Sequence, residues 1–252
     1  ICVLLDGLID IKFFDLPIDD IDSLKNRRLR GVGEWLQMQF HIGLTKLELE
    51  IHGKLTASPI VISYPKMLFS SKILNSVLKE FFASSQLSQF MDQINPLSAL
   101  IHKRRVSSLG PGGLSRDRVI FSARDIHPSH YGRLCPLETP EGKNAGLVLS
   151  LASYARVNSD GFIETPYRYV KNGQIELDKP IVYLTAEEES QFKVLSADVS
   201  IDKNNNILDD IVTLKFNDTF IDSPVDETDL IAISTIQPIS PATALIPFIE
   251  HN

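Results

Sequence analysis

At 252 residues, with 43% hydrophobic and 23% charged side chains, the chain can bury a sizeable core, which excludes a stapled miniprotein, wholesale disorder and a coiled-coil rod. A net charge of −7 argues on average against nucleic acid, and Asp, Lys or Glu interrupts every apolar stretch before the roughly 18 to 20 residues of a membrane span, so no membrane partner is expected. The two cysteines, Cys2 and Cys135, lie far apart without a CxxC neighbour, which fits a reducing compartment and gives no disulfide framework.

The chain opens Ile1-Cys2-Val3-Leu4 without an initiator Met or basic leader, the pattern expected of an internal piece of a longer protein. Residues 2–5 read as a short strand. An acidic turn, Asp19-Asp20-Ile21-Asp22, and a basic run from Lys25 to Arg30 follow. From Gly33, Leu36, Phe40, Leu44, Leu47, Ile51 and Leu55 recur every three or four positions, the stripe of an amphipathic helix that should face the core. Pro59 and Pro65 bracket a loop or short strand, and a second helical stripe runs through Ile73, Leu74, Val77, Leu78, Phe81 and Phe82. Ser84-Ser85 should cap a further turn over 86–93. Asn95-Pro96 then supplies an N-cap and first helical residue for a helix over 97–105. That helix must stop at Leu109-Gly110-Pro111-Gly112-Gly113-Leu114, because three glycines and a proline favour turns.

Residues 125–142 are dense in Pro, His and Gly and lack a period, as ordered functional loops do. Leu147, Leu151 and Tyr154 suggest one more helix. Beyond it come short β-rich runs at 162–165, 181–184, 192–195 and 211–216, parted by polar turns such as Lys171-Asn172-Gly173. The expected fold class is therefore α+β: a helical part with an irregular Gly/Pro-rich loop region, followed by a small β-rich module, with a boundary near 157.

Charge is distributed unevenly. Between His102 and Arg133 stand Lys103, Arg104, Arg105, Arg116, Arg118, Arg124 and Arg133 against Asp117 and Asp125, whereas from Gln174 onward four lysines meet fifteen carboxylates. Guanidinium forks match phosphate oxygens, so the middle segment has the composition of a phosphate contact and the tail does not. The glycine segment matches neither G-x-x-x-x-G-K-[ST] nor G-x-G-x-x-G, so it is not a nucleotide cradle of either kind; its meaning comes from the basic residues on both sides. His127, His130 and Cys135 offer three zinc ligands without a fourth, and the better reading is hydrogen-bonded histidines ordering a loop. Asp20 with Asp22, and Asp209 with Asp210, are surface pairs with no phosphate-holding neighbour, so no metal site is assigned.

One long collinear set of segments is more specific. Residues 84–93 (SSQLSQFMDQ), Asn95-Pro96-Leu97, His102-Lys103-Arg104-Arg105, the glycine segment, residues 124–133 (RDIHPSHYGR) and Glu138-Thr139-Pro140-Glu141-Gly142 together resemble the β-subunit family of bacterial-type RNA polymerases. Weaker likeness extends over 19–28, 161–168 and 245–251. Departures from the family pattern fall at Trp35, Leu36, Ser108, Lys143 and Ala145.

The resemblance implies an internal piece of a nucleotidyltransferase subunit: the end of a lobe/protrusion region at 1–83, a fork region at 84–157, an acidic β-rich external module at 158–240, and the start of a hybrid-binding region at 241–252. It implies no catalytic residue and no cofactor bound here, with Mg2+ in the complete enzyme held by the partner β′ subunit. The implied partners are the β′ and α subunits, a sigma factor, both DNA strands and nascent RNA. Gln86, Gln89, Arg105, Leu114, Arg116 and Arg118 would face DNA, RNA or their hybrid, and Ile21, Asp22 and Arg27 would receive a non-template base. A rifamycin-type pocket would comprise Gln89, Phe90, Asp92, His102, Arg105, Ser107, Leu109, Pro140 and Asn144. Richness in Ile, Asn and Ser favours a plastid over a bacterial cytoplasm. A stand-alone nucleic-acid-binding or scaffold module is the competing reading, separable by whether several hundred more residues follow Asn252.

Overall fold

The computed structural model describes residues 2–14, 19–57, 68–115 and 121–251. In chain order its elements are α1 (Cys2–Phe14), α2 (Val32–Ala57), α3 (Ser71–Ser84), α4 (Pro96–Lys103), β1 (Arg105–Ser107), β2 (Val148–Ser150), β3 (Arg156–Val157), β4 (Ile163–Lys171), β5 (Gln174–Ile175), β6 (Val182–Leu184), α5 (Ala186–Glu189), β7 (Val194–Leu195), β8 (Ile211–Phe216), β9 (Thr219–Pro224) and β10 (Leu230–Ala232). The α+β expectation holds. The chain divides into two compact units, one of residues 29–118 and one joining 1–28 to 119–252.

In the unit of 29–118, α2 and α3 form a packed pair. They approach so closely at Gly43 that a Cβ there would lie 2.7 Å from Leu74 Cδ1, and Gly43 is the buried residue of α2. On α3 the expected stripe is borne out, with Val77 buried and Ile73, Leu74, Leu78 and Phe81 partly so, although Phe82 stays exposed. On α2 the expectation of a core face needs correction. Phe40, Leu44 and Leu55 are exposed, because α3 covers only part of a stripe 26 residues long. α4 starts as expected, with Asn95 Oδ1 accepting from Ser98 N–H at 2.8 Å and Ser98 Oγ accepting from Asn95 N–H at 3.2 Å. It ends at Lys103 rather than 105, and Arg105 opens β1 instead. Residues 86–93 make one turn and then run without regular structure; Pro59 and Pro65 lie outside the described residues.

The other unit is built on an eight-stranded sheet of order β3-β4-β10-β7-β8-β9, with β5 and β6 also pairing with β4. All pairs are antiparallel except β10 with β7. Successive strand residues point to opposite faces, so Leu230 and Ile231, like Val194 and Leu195, enter different clusters. One cluster gathers Val170, Ile175, Leu195, Ile207, Val212, Leu214 and Ile231, the other Tyr167, Leu184, Val194 and Leu230. Asn172-Gly173 and Asn217-Asp218 close two-residue hairpins with φ of 51° and 73°, and 44° and 62°. Positive φ at both central residues matches the strand twist, and Asn, Asp and Gly bear it at least cost.

Two sequence readings are overturned here. Residues 2–5 belong to helix α1, since a short apolar run carries no period and Leu5, Leu8 and Ile9 continue it at helical spacing. Leu147, Leu151 and Tyr154 do not mark a helix: 148–150 are a strand, and Leu151 bridges to Leu134. Arg156 and Val157 pair with Glu164 and Ile163 within the sheet unit.

Candidate nucleic-acid interface

Two constellations carry the candidate residues, one in each unit. In the sheet unit, the turn at 19–28 is bolted to the loop at 124–133. Asp20 Oδ2 lies 2.9 Å from His127 Nε2, Leu24 N–H donates to Ser129 Oγ at 3.0 Å, and His127 Nδ1 accepts from Ser129 N–H at 3.1 Å. That last bond requires a bare Nδ1, so His127 carries its proton on Nε2, facing Asp20. The N–H of Asp22, bonded to Oδ1 at 2.8 Å, is the main cause holding the Asp20 carboxyl below its usual range; burial opposes it and His127 adds to it. Ser23 and Leu24 are buried, which leaves Ile21 outward at 79% exposure beside partly buried Asp22 and Arg27. A rigid turn thus presents an apolar side chain flanked by an acceptor and a donor.

His130 is tucked beneath this turn. Burial is the main cause that drops its pKa to about 4, and the nearby charges of Arg27 and Lys215 push the same way. The histidines are hydrogen-bonded loop organisers, as expected, and Cys135 Sγ meets Thr243 Oγ1 at 3.6 Å instead of joining them. Among the described residues no three His, Cys, Asp or Glu side chains group as metal ligands.

In the unit of 29–118, residues 85–115 form the second constellation. His102 Nε2 lies 3.0 Å from Gln89 Oε1, and its Nδ1 accepts from Asp92 N–H at 3.1 Å, so Gln89, Asp92 and His102 are brought together. Ser107 Oγ accepts from Leu109 N–H at 3.2 Å. The glycine segment is a closed loop: Leu114 N–H donates to Ser108 O and Gly113 N–H to Gly110 O, each at 2.9 Å. At Gly113 a Cβ would sit 2.5 Å from Ser108 O, so no larger residue fits without moving backbone. Gln86, Phe90 and Arg105 are exposed, Phe90 completely. Arg116 and Arg118 lie outside the described residues. Pro140 and Asn144, expected to complete an inhibitor pocket, belong to the sheet unit, where they are partly buried in turns.

The charge reading of 102–133 needs one correction. Arg133 is fully buried and spends its guanidinium inward, on Glu189 at 2.5 Å and on the carbonyls of Ile163 and Leu184 at 3.0 Å. Arg124 Nη1 donates to Lys143 O and Ala145 O at 2.9 and 2.8 Å. Composition cannot separate an arginine that seeks phosphate from one that ties a loop, since both need the same planar fork. Arg30 was likewise passed over: its Nη2 donates to Pro111 O at 3.1 Å and its guanidinium stacks on Trp35, 4.1 Å from the ring centroid. The only sequence signal was its place at the end of the basic run 25–30.

Comparisons with known proteins converge. Residues 89–157 match the family described as RNA polymerase Rpb2, domain 3, and residues 167–234 match the RNA polymerase beta subunit external 1 domain. The chain is 55% identical over 245 residues to the DNA-directed RNA polymerase subunit beta of Cyanidium caldarium, covering 97% of this chain and 23% of that protein. It is 53% identical over 248 residues to the same subunit of Thermosynechococcus vestitus, and 52% over 248 residues to that of Rhodomonas salina, covering 98% of this chain in both and 22% and 23% of those proteins. The chain thus spans under a quarter of the length of these relatives, and its similarity runs nearly end to end, which does not favour a stand-alone module.

Proposed function

Because the chain belongs to the β-subunit family of DNA-directed RNA polymerases, we propose that it is the part of such a subunit that shapes the DNA and RNA channel during template-directed RNA synthesis. The observation that carries this reading is the run of Lys103, Arg104 and exposed Arg105 at the end of α4, followed by a glycine loop whose tip, Pro111 to Gly113, is exposed. Exposed cations beside an exposed loop tip suit a phosphate chain, which positions a strand without reading its sequence.

In this reading the loop of 110–118, with Leu114 and Arg118, flanks separated strands at the downstream edge of the bubble, and Gln86, Gln89, Arg105 and Arg116 line the path of RNA and hybrid. Ile21, Asp22 and Arg27 receive an unpaired base: Ile21 offers an apolar contact, Asp22 an acceptor and Arg27 a donor. Residues 1–83, 84–157, 158–240 and 241–252 correspond to the lobe/protrusion, fork, external and hybrid-binding regions. The partners are β′, α and a sigma factor, with the Mg2+ of the complete enzyme held by β′, and the site of action is a plastid, in keeping with relatives from algae and cyanobacteria alike. Gln89, Phe90, Asp92, His102, Arg105, Ser107 and Leu109, all within the unit of 29–118, line a site for rifamycin-type inhibitors.

The test is the dissociation of elongation complexes across a salt series. Each lost phosphate contact lowers the slope of log stability against log salt by about one unit, so Arg105→Ala and Arg116→Ala should each do so. Unchanged slopes in both variants would overturn the reading.

A further inference from the structure

We propose that Arg30 is a positioning residue that pins the tip of the glycine loop, and that Trp35 sets how firmly it does so. This rests on the reading of that loop as a nucleic-acid contact. Proline has no N–H, so the carbonyl of Pro111 is its backbone polar group, and Arg30 Nη2 takes it at 3.1 Å. The guanidinium also presses against the next residue: a Cβ on Gly112, whose φ is +74°, would lie 2.9 Å from the same Nη2. From the other side α2 holds the fork, with the Trp35 ring centroid 4.1 Å from Cζ and Met38 Sδ 4.0 Å from Nη1. Arg30 is therefore an arm between the start of α2 and the loop tip. Its plane is fixed by stacking and one donor is spent on the loop, a combination that the point charge of lysine cannot reproduce. Beneath the loop, Leu87 Cδ2 would stand 3.1 Å from a Cβ on Gly110, so the base of the loop is seated as well.

Two readouts in the assembled polymerase separate this inference from the reading it rests on. Thermolysin cleaves before leucine, and its rate at the Gly113–Leu114 bond tracks how often the loop opens. Losing the stack and the hydrogen bond in Arg30→Ala should raise that rate about fivefold or more, and Trp35→Leu should raise it less. Arg30→Lys should fail to restore protection. Arg30 is exposed, so its replacement should not unfold the unit. Parent-like cleavage in Arg30→Ala, or full protection by Arg30→Lys, would overturn the inference. The second readout is the half-life of stalled elongation complexes, with and without a loop shortened by deleting Pro111 and Gly112. Arg30→Ala should shorten the half-life in the full-loop enzyme and add nothing in the shortened one, since residues acting as a unit are not additive. Equal shortening in both would show that Arg30 acts elsewhere. A shortened-loop enzyme as long-lived as the parent would overturn the interface reading, while the cleavage rates still judge the pin.

Discussion

Arg133 reaches Glu189 at 2.5 Å with both side chains almost wholly excluded from water, and Lys215 meets the other oxygen of the same carboxylate at 2.7 Å. Burial pushes the Glu189 carboxyl up, but the two cations outweigh it and hold it below its usual range. Tyr167, in the same cluster, is pushed well up, by burial first and by Glu189 second. Removing one partner of a buried pair strands the other charge, which costs about 3 to 5 kcal/mol. Arg133→Met in the full-length subunit should therefore lower its thermal midpoint and its yield of assembled polymerase. A midpoint within a degree of the parent would show that this arginine is dispensable to the fold.

The fate of Arg133 shows how far the sequence could be read. Periodicity located α2, α3, the start of the strand at 163–171 and the strand at 211–216, and Asn95-Pro96 located the start of α4, because these features are local. Arg133 follows a helical turn and a glycine and looks like its exposed neighbours, yet its partners stand at 163, 184 and 189. Such partners become visible only once the sheet has formed. Arg30 was missed for the same reason, since Pro111 lies 81 positions on. The outward course of α2 was missed because a stripe of leucines does not say how much of it a neighbour will cover. The His127–Asp20 pair joins the two stretches that motif likeness singled out separately, a link no spacing rule contains.

His130 sets the acid limit. Its pKa falls from 6.5 to about 4 on folding, so the unfolded chain binds a proton between those values and the folded chain does not. Stability from this group is complete above 6.5 and is lost as pH falls toward 4, at about 1.4 kcal/mol per unit. The depressed Glu189 carboxyl adds a further loss only below its ordinary value of 4.5. Thermal midpoints of the full-length subunit between pH 7.5 and 4.5 should fall for the parent and fall less for His130→Gln. A parallel decline in both would assign the acid lability elsewhere.

Ser107 Oγ accepts from Leu109 N–H at 3.2 Å and stands exposed after α4, two residues from the glycine loop. Ser107→Leu removes that acceptor and adds an apolar branch, so a ligand group hydrogen-bonded there would lose about 1 to 3 kcal/mol from its unpaired partner alone. Inhibition of transcription by a rifamycin should be strong in the parent polymerase and at least tenfold weaker in the variant. Equal inhibition of both enzymes, or resistance in the parent, would count against the pocket.

At Gly113 the obstruction is backbone, 2.5 Å from the missing Cβ, and not a side chain that could swing away. Gly113→Ala should disturb the closed loop and shorten the half-life of elongation complexes, whereas Ser115→Ala, just beyond the loop, should leave it unchanged. Indistinguishable half-lives for parent and Gly113→Ala would mean that the loop's closed shape is irrelevant to holding nucleic acid.

Photoreactive DNA and RNA, crosslinked to the assembled polymerase and mapped by peptide, test the central assignment most directly. Four lysines among fifteen carboxylates beyond 173 make approach to phosphate unfavourable there, while exposed Arg105 and the open loop attract it. Crosslinks should fall within 86–118 and at the turn of 19–28, with none between 170 and 240. Efficient crosslinking to Lys193, Lys203 or Lys215, with none at 102–118, would contradict the account.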